Sequence, residues 1–375
     1  MALRAAFVYE DALTRVDLRD DHPLVPSRLR YTYELLEAYQ AFDGDRSAVM
    51  PPRQATEEEV LGFHQRDYVE AVKSLSHGER KYNPSRFNLS AGRGDTPVFP
   101  GMYEASLWST GASLTAAALV ADGEASVASN FAGGLHHAMP DHASGFCVFN
   151  DPVIAIQHLR NWGLRVAYVD IDAHHGDGVQ HAFFDTSQVL TISLHESGSY
   201  LFPGTGFVEE MGTGEGRGYA VNVPLLPYTG DEAYLWAFRQ VVPSLVRAFK
   251  PDVLVTQLGI DTHYLDPLTH LCLTSAGYTE AVKELAALGL PWVALGGGGY
   301  DVSAVIRCWS LAYGVMSGRD WPDEIPAAYQ ERYGLQRLRD ADGPRVEESV
   351  CREAQHFAQQ SVSQVQRLIF PIHGL

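Results

Sequence analysis

Residues 166–178 read Val166-Ala167-Tyr168-Val169-Asp170-Ile171-Asp172-Ala173-His174-His175-Gly176-Asp177-Gly178, an apolar run that turns abruptly into alternating acids and imidazoles. Its first part, Val166 to Ile171, is apolar but for Asp170 and reads as a buried parallel strand. Every second side chain of a strand faces the same way, so Asp170, Asp172 and His174 are expected on one side. In open α/β sheets, ligands bind outside the carboxyl ends of the strands, which is where these three groups fall.

Three more apolar runs read as buried parallel strands: Val189 to Leu194, Val253 to Leu258 and Trp292 to Leu295. The N-terminal Met-Ala-Leu-Arg-Ala-Ala-Phe-Val-Tyr reads as a first buried strand. Helical periodicity covers Arg28 to Phe42, Met102 to Ala121, Pro152 to Trp162, Asp231 to Phe249 and Ala276 to Leu288, with Asp231 placed to cap its helix after Thr229-Gly230. Strand and helix in alternation predict an α/β fold around a parallel sheet. Two long irregular stretches, about 76–100 and 198–218, are rich in Gly, Pro, Ser and Asn and are expected to be binding loops. No boundary interrupts the pattern. We expect one catalytic domain over 1–375, closed by a helical segment from Val346 to Leu368.

The chain has 375 residues, 46% hydrophobic and 20% charged, enough to bury a large core. No apolar run reaches the roughly 18 residues of a membrane span, and the N-terminus is too soon polar for a signal peptide. The cytoplasm is the expected location. With 46 acidic against 28 basic residues the net charge is −18, which argues against nucleic acid or an anionic membrane as partner. A cationic protein or polyamine substrate remains compatible. Cys147, Cys272, Cys308 and Cys351 form no CxxC and are expected as buried thiols in a reducing compartment.

Leu254-Val255-Thr256-Gln257-Leu258-Gly259-Ile260-Asp261 ends as the opening stretch does, and places Asp261 at the same end of the same sheet. Asp172, His174 and Asp261 then make a set of two carboxylates and one imidazole. Mixed oxygen and nitrogen donors suit zinc, iron(II), cobalt or manganese, and three protein ligands leave a position open, as in catalytic sites. A lone Asp at a strand end needs only solvation as its reason. Three polar residues in alternation, echoed by a second strand, need more.

Two further segments carry chemistry. Gly133-Gly134-Leu135-His136-His137-Ala138 precedes Ser144-Gly145-Phe146-Cys147-Val148-Phe149-Asn150-Asp151. Imidazoles serve as acids and bases near neutral pH, and each needs its far nitrogen fixed by a carboxylate; Asp170 and Asp177 are the spare ones. A decorative surface pair is the plainer alternative. Trp292 to Leu295 runs into Gly296-Gly297-Gly298-Gly299-Tyr300, which lacks the Gly-Lys-Ser/Thr of a phosphate loop. Tyr300 is either a core aromatic or a hydroxyl that donates to a developing oxyanion.

Together these segments resemble the histone deacetylase superfamily, in the class I-like branch that includes bacterial acetoin-utilisation deacetylases. The resemblance runs from about Pro23 to Trp309. It rests also on Pro26-Ser27-Arg28, Gly94-Asp95-Thr96-Pro97 and Phe202-Pro203-Gly204-Thr205-Gly206, all in family order. It implies an arginase/deacetylase-like three-layer fold around a mainly parallel eight-stranded sheet. It implies Zn2+, or Fe2+, on Asp172, His174 and Asp261, with His137 as general base and later proton donor, and His136 as its electrostatic partner. Asp170 would pair with His136 and Asp177 with His137, and Tyr300 would polarise the acyl carbonyl. Phe146 and Phe202 resemble the walls of an acyl-lysine tunnel, with Gly145 beside them, Leu268 at the rim, Asp95 gripping the substrate backbone and Arg28 near an acetate-release pocket. The family's potassium sites would match Asp170, Asp172, His174, Ser193 and Leu194, and Phe183, Thr186, Val189 and Tyr219.

The implied activity is hydrolysis of acetyl or acyl groups from lysine side chains or related small amines. Acetylpolyamine hydrolysis is the alternative, then a binuclear manganese ureohydrolase of the arginase type; a non-catalytic scaffold would leave the matched residues unexplained. The chain departs from eukaryotic class I members after Asp261, where Thr262-His263-Tyr264-Leu265-Asp266-Pro267 stands. That puts a histone substrate in doubt, and His263 and Tyr264 are expected to narrow the tunnel mouth. His175 receives no chemical role.

Overall fold

A computed structural model describes residues 3–16, 18, 21–44, 46–92 and 94–375. Its strands are β1 (Leu3–Val8), β2 (Ser47–Met50), β3 (Ala125–Asn130), β4 (Val166–Asp170), β5 (Val189–Glu196), β6 (Ala220–Leu225), β7 (Val253–Gln257) and β8 (Trp292–Leu295). All pair in parallel in one eight-stranded sheet, ordered β2–β1–β3–β8–β7–β4–β5–β6. The expected initial strand starts at Leu3, since the first two residues lie outside the described ones. Every residue of β4 through β8 is buried, which is why those strands read as continuous apolar runs.

The helices are α1 (Ser27–Ala38), α2 (Glu57–Leu61), α3 (Arg66–Ser76), α4 (Met102–Ala121), α5 (Asp151–Asn161), α6 (Asp177–Phe183), α7 (Asp231–Phe249), α8 (Ser275–Ala286), α9 (Val302–Ser317), α10 (Ala327–Tyr333) and α11 (Glu348–Leu368). Helix α4 is apolar almost all round because it is wedged between the sheet and α5. Helix α11 buries Ala354, Ala358, Ser361, Val362 and Val365, a stripe at helical spacing that lies on β6 and α7. No helix among the described residues is long and apolar enough to cross a membrane.

Three local expectations are corrected. Gly230, not Asp231, caps α7; the Asp231 carboxylate instead accepts from the backbone N–H and hydroxyl of Thr274, at the start of α8 (2.8 and 2.6 Å). Cys351 is exposed on α11, while the other three cysteines are buried. The apolar run of β4 stops at Asp170, because the Asp170 carboxylate takes the backbone N–H of Asp172 (3.1 Å) and turns the chain. Asp172 and His174 therefore reach the site from a turn, not from the pleat of a strand.

Register decides where the site lies. Asp170 pairs with Gln257 and Ser193, and Leu295 pairs with both Gln257 and Asn130. The carboxyl ends of β3, β8, β7 and β4, neighbours in the sheet, are thus level. Their outgoing segments, 131–137, 296–300, 258–261 and 171–177, emerge side by side, and each carries one of the motifs described above.

Candidate active site

Asp172, His174 and Asp261 are buried and offer ligand atoms that all lie within 4.8 Å of one another. His174 Nδ1 stands 3.0 Å from Asp172 Oδ1 and 3.0 Å from Asp261 Oδ2. The carboxylates are held from behind. Asp172 Oδ2 accepts from Gln257 Nε2 (2.6 Å) and the Gly298 N–H (2.8 Å), and Asp261 Oδ1 accepts from the Ala173 N–H (2.8 Å). Glycine is required around them: a Cβ at Gly298 would come within 1.8 Å of Asp261 Oδ2, and one at Gly259 within 2.2 Å of Asp172 Oδ2.

Two buried carboxylates this close repel unless a cation joins them. Burial pushes the Asp261 carboxyl up, and Asp172 beside it pushes the same way. Burial also opposes ionisation of Asp172, but His136 and His174 outweigh it and hold that carboxyl low. This donor set, converging, buried and framed by glycines, fits zinc or iron(II).

The histidine pair sits beside the triad. His136 Nδ1 contacts Asp170 Oδ2 at 2.8 Å, His137 Nδ1 contacts Asp177 Oδ1 at 2.7 Å, and the two Nε2 atoms are 3.0 Å apart. Bare lone pairs would repel at that distance, so one ring carries a proton between them. Burial disfavours charge on His136, yet Asp170 and Asp172 prevail and lift its pKa to about 9. Burial, joined by the charge of His136, takes His137 down to about 4, against the pull of Asp177. His136 is thereby biased toward the charged ring and His137 toward the neutral one. Asp151 fixes the loop that presents them: its carboxylate accepts the N–H groups of Gly134 (3.0 Å) and Leu135 (2.9 Å).

Above the triad opens a cavity of about 200 Å³ lined by Asp95, His137, Gly145, Phe146, His174, Leu201, Phe202, Leu268 and Tyr300. Phe202 meets the His137 ring edge-on at 5.0 Å, and Phe146 meets Tyr300 likewise at 5.7 Å. Phe146 has a positive φ of 68°, an uncommon conformation for an aromatic, which the Gly145 turn imposes. A Cβ at Gly145 would lie 2.5 Å from the His137 ring. Burial keeps the Tyr300 hydroxyl a phenol, a donor at any physiological pH.

Arg28 lies deeper. Its guanidinium donates to the carbonyls of Gly299 and Gly297, both at 2.7 Å, and stacks over Trp309 at 4.9 Å. It lines a small recess beneath Tyr300 and a larger, mostly apolar cavity of about 100 Å³ behind it.

The residues matched to potassium fall into two places. Asp170 and Ser193 are register partners across β4 and β5, and Ser193 Oγ bonds His195 Nδ1 (2.8 Å). Phe183 ends α6, Thr186 follows it, Val189 opens β5, and the Tyr219 carbonyl accepts the Thr191 N–H (2.8 Å).

The expected role of His263 and Tyr264 at the tunnel mouth does not hold. His263 is buried and its Nε2 binds Asp340 Oδ2 at 3.0 Å, while Tyr264 donates to the Asp342 carbonyl at 3.3 Å. Neither lines the cavity, and for His263 the reason is that Asp340 supplies the partner a buried imidazole requires. His175 does have a place: it bonds Thr205 (2.8 Å) and Gln180 (3.2 Å), and so holds the loop that carries Phe202. Sequence reasoning missed Gln257, Asp151 and Asp266. The only signal for Gln257 was a polar residue inside an apolar strand.

The histone deacetylase domain pattern matches residues 22–316. The chain belongs to the histone deacetylase family. It is 43% identical over 332 residues to the acetoin utilization protein AcuC of Bacillus subtilis, covering 86% of this chain and 84% of that one. It is 37% identical over 326 residues to histone deacetylase 1 of Homo sapiens, covering 86% of this chain and 66% of the human protein. The crystal structure of a histone deacetylase homologue from Aquifex aeolicus superposes with a TM-score of 0.85 at 31% identity, over 96% of this chain and 99% of that one. The parallel sheet with flanking helices is accordingly the arginase/deacetylase fold, and this member of a metal-dependent family carries a metal-compatible triad.

Proposed function

We propose that this protein hydrolyses the amide of acylated lysine side chains, or of related small acylated amines, acting as one catalytic domain over 1–375. One observation carries the reading. A neutral imidazole, His137, and a phenol, Tyr300, line the same narrow cavity as His174 of the triad, between the aromatic rings of Phe146 and Phe202.

Asp172, His174 and Asp261 would hold zinc or iron(II), which supplies Lewis-acid stabilisation of negative charge on oxygen. Phe146 and Phe202 flank the apolar stem of the substrate and exclude water, while Asp95, at the mouth, takes a substrate N–H. The Tyr300 hydroxyl donates to the amide oxygen as charge develops there. Nε2 of His137 receives the proton of the attacking water, with Asp177 holding the tautomer and Asp170 holding His136 charged. The same nitrogen then returns the proton to the leaving amine. Arg28 borders the recess where the short acid product is released. Potassium is proposed at Asp170, Asp172, His174, Ser193 and Leu194, and at Phe183, Thr186, Val189 and Tyr219.

A single metal-compatible cluster among the described residues favours this reading over a binuclear ureohydrolase. The test is turnover of acyl-lysine peptides, acetylspermidine and acetylated small amines by chelator-stripped and reloaded protein. Activity restored by zinc or iron(II) supports the proposal. Full activity of stripped protein, or no release from any substrate, overturns it.

A further inference from the structure

The loop that follows Asp261 does more than end a strand. Asp266 lies on it with its side chain buried, and both carboxylate oxygens are spent on backbone. Oδ1 accepts from the Leu268 N–H (2.9 Å) and Oδ2 from the Tyr300 N–H (2.8 Å), while the backbone N–H of Asp266 itself is tied to the His263 carbonyl (2.8 Å). Asp266 belongs neither to the metal-compatible cluster nor to the lining of the cavity.

The bond to Tyr300 gains meaning from its neighbour. The N–H of Tyr300 and the C=O of Gly299 belong to one peptide unit, and that carbonyl accepts Arg28 Nη1 at 2.7 Å. A single peptide plane is therefore gripped by a cation at its oxygen and an anion at its nitrogen. Both bonds are charge-assisted and buried, the strong kind. The grip is needed because the segment leading to Tyr300 is glycine, with φ of +148° at Gly297 and +130° at Gly299. The orientation of that last peptide plane aims the Tyr300 ring.

We propose that Asp266 is the positioning residue that holds Tyr300 in its reactive place, by fixing the Gly299–Tyr300 peptide plane against Arg28 and joining it to the rim at Leu268. This rests on the reading of Tyr300 as the donor to the amide oxygen. The carboxylate acts through Tyr300 and touches no substrate.

The test compares the wild type, Asp266→Asn, Tyr300→Phe and the double variant, each loaded with zinc and assayed on acetyl-lysine peptide. An amide offers one acceptor where two N–H groups need one, so one bond is lost. Asp266→Asn is expected to lower kcat about tenfold to a hundredfold, with KM and metal content little changed. In the Tyr300→Phe background the same substitution should alter kcat/KM by no more than about twofold. Equal losses in both backgrounds overturn the proposal. Asp266→Glu, which keeps both acceptors on a longer arm, should fold and recover part of kcat; no recovery counts against it. A crystal structure of Asp266→Asn gives a readout independent of activity: the Tyr300 hydroxyl is expected to shift by more than about 1 Å, and an unmoved Tyr300 overturns the proposal. If wild type and Tyr300→Phe turn over equally, the deacetylase reading fails, and the crystallographic comparison still decides the role of Asp266.

Discussion

His136 and His137 are neighbours in the chain and nearly touch at their Nε2 atoms, yet each is tied through Nδ1 to a different aspartate, Asp170 for one and Asp177 for the other. Both aspartates favour a charged ring, but burial and the charge of His136 outweigh Asp177, so the two side chains are biased toward different protonation states. His137, the ring biased toward neutrality, is the one proposed to accept a proton, with Asp177 on Nδ1 setting its tautomer. Asp177→Asn is expected to keep the fold and the metal while lowering kcat by about 10²–10⁴. Steady-state kinetics beside metal analysis checks this, and unchanged turnover would remove His137 from the proposed role.

Tyr300→Phe deletes one hydroxyl from the cavity wall and leaves the other lining groups in place. The variant should unfold at the wild-type temperature and bind zinc with the same stoichiometry. Its kcat should fall by about 10²–10³, the usual effect of losing one oxyanion donor. A loss confined to KM would instead make Tyr300 a binding group.

Metal removal should be visible without any substrate. The triad keeps two carboxylates buried side by side, so a cation that binds only the folded chain stabilises it. At free metal about a hundredfold above Kd the gain is about 2.7 kcal/mol. Adding zinc to chelator-stripped protein should raise Tm, and Asp261→Asn should abolish that rise. A binuclear site would show itself as two metal ions per chain in elemental analysis.

Asp340 predicts an acid limit to stability. Burial alone would raise its pKa, but His263, the Ser275 N–H and Arg307 hold it well below the usual carboxylate range. A carboxyl lowered on folding adds stability above its unfolded pKa of about 3.9 and loses it as pH falls through and below that value. Asp340→Asn leaves the buried Arg307 without its charge partner and should cost about 3–5 kcal/mol at pH 7. The gap to wild type should narrow in urea titrations between pH 5 and pH 3. A gap independent of pH would mean that packing, not charge, is what Asp340 supplies.

The chemistry was more legible in the sequence than the sheet that carries it. The runs at β4, β5, β7 and β8 stand out because both faces of those strands are buried. β3 does not, since it ends in Ser129 and Asn130, polar residues made tolerable by hydrogen bonds to Ala6, Ser109 and Ser113 that no pattern announces. β6 contains Pro224, acceptable only because it lies at the sheet edge. At the site, Asp172 and Asp261 could be paired from their places at strand ends. The turns of His263 toward Asp340 and of Asp266 toward Tyr300 depend on partners many residues away and left no local mark.

The groups proposed to hold metal and move protons follow β3, β4, β7 and β8 within a few residues, while the cavity wall at Phe202 and the acid at Asp95 belong to the two long loops. Two of the cavity's walls are thus written apart from the reactive groups, while Phe146 and Leu268 share segments with them. On the proposed reading, grafting either loop from a relative would change which acylated amine is accepted and leave the segments after the strands in place, so the scaffold would lend itself to retooling one loop at a time.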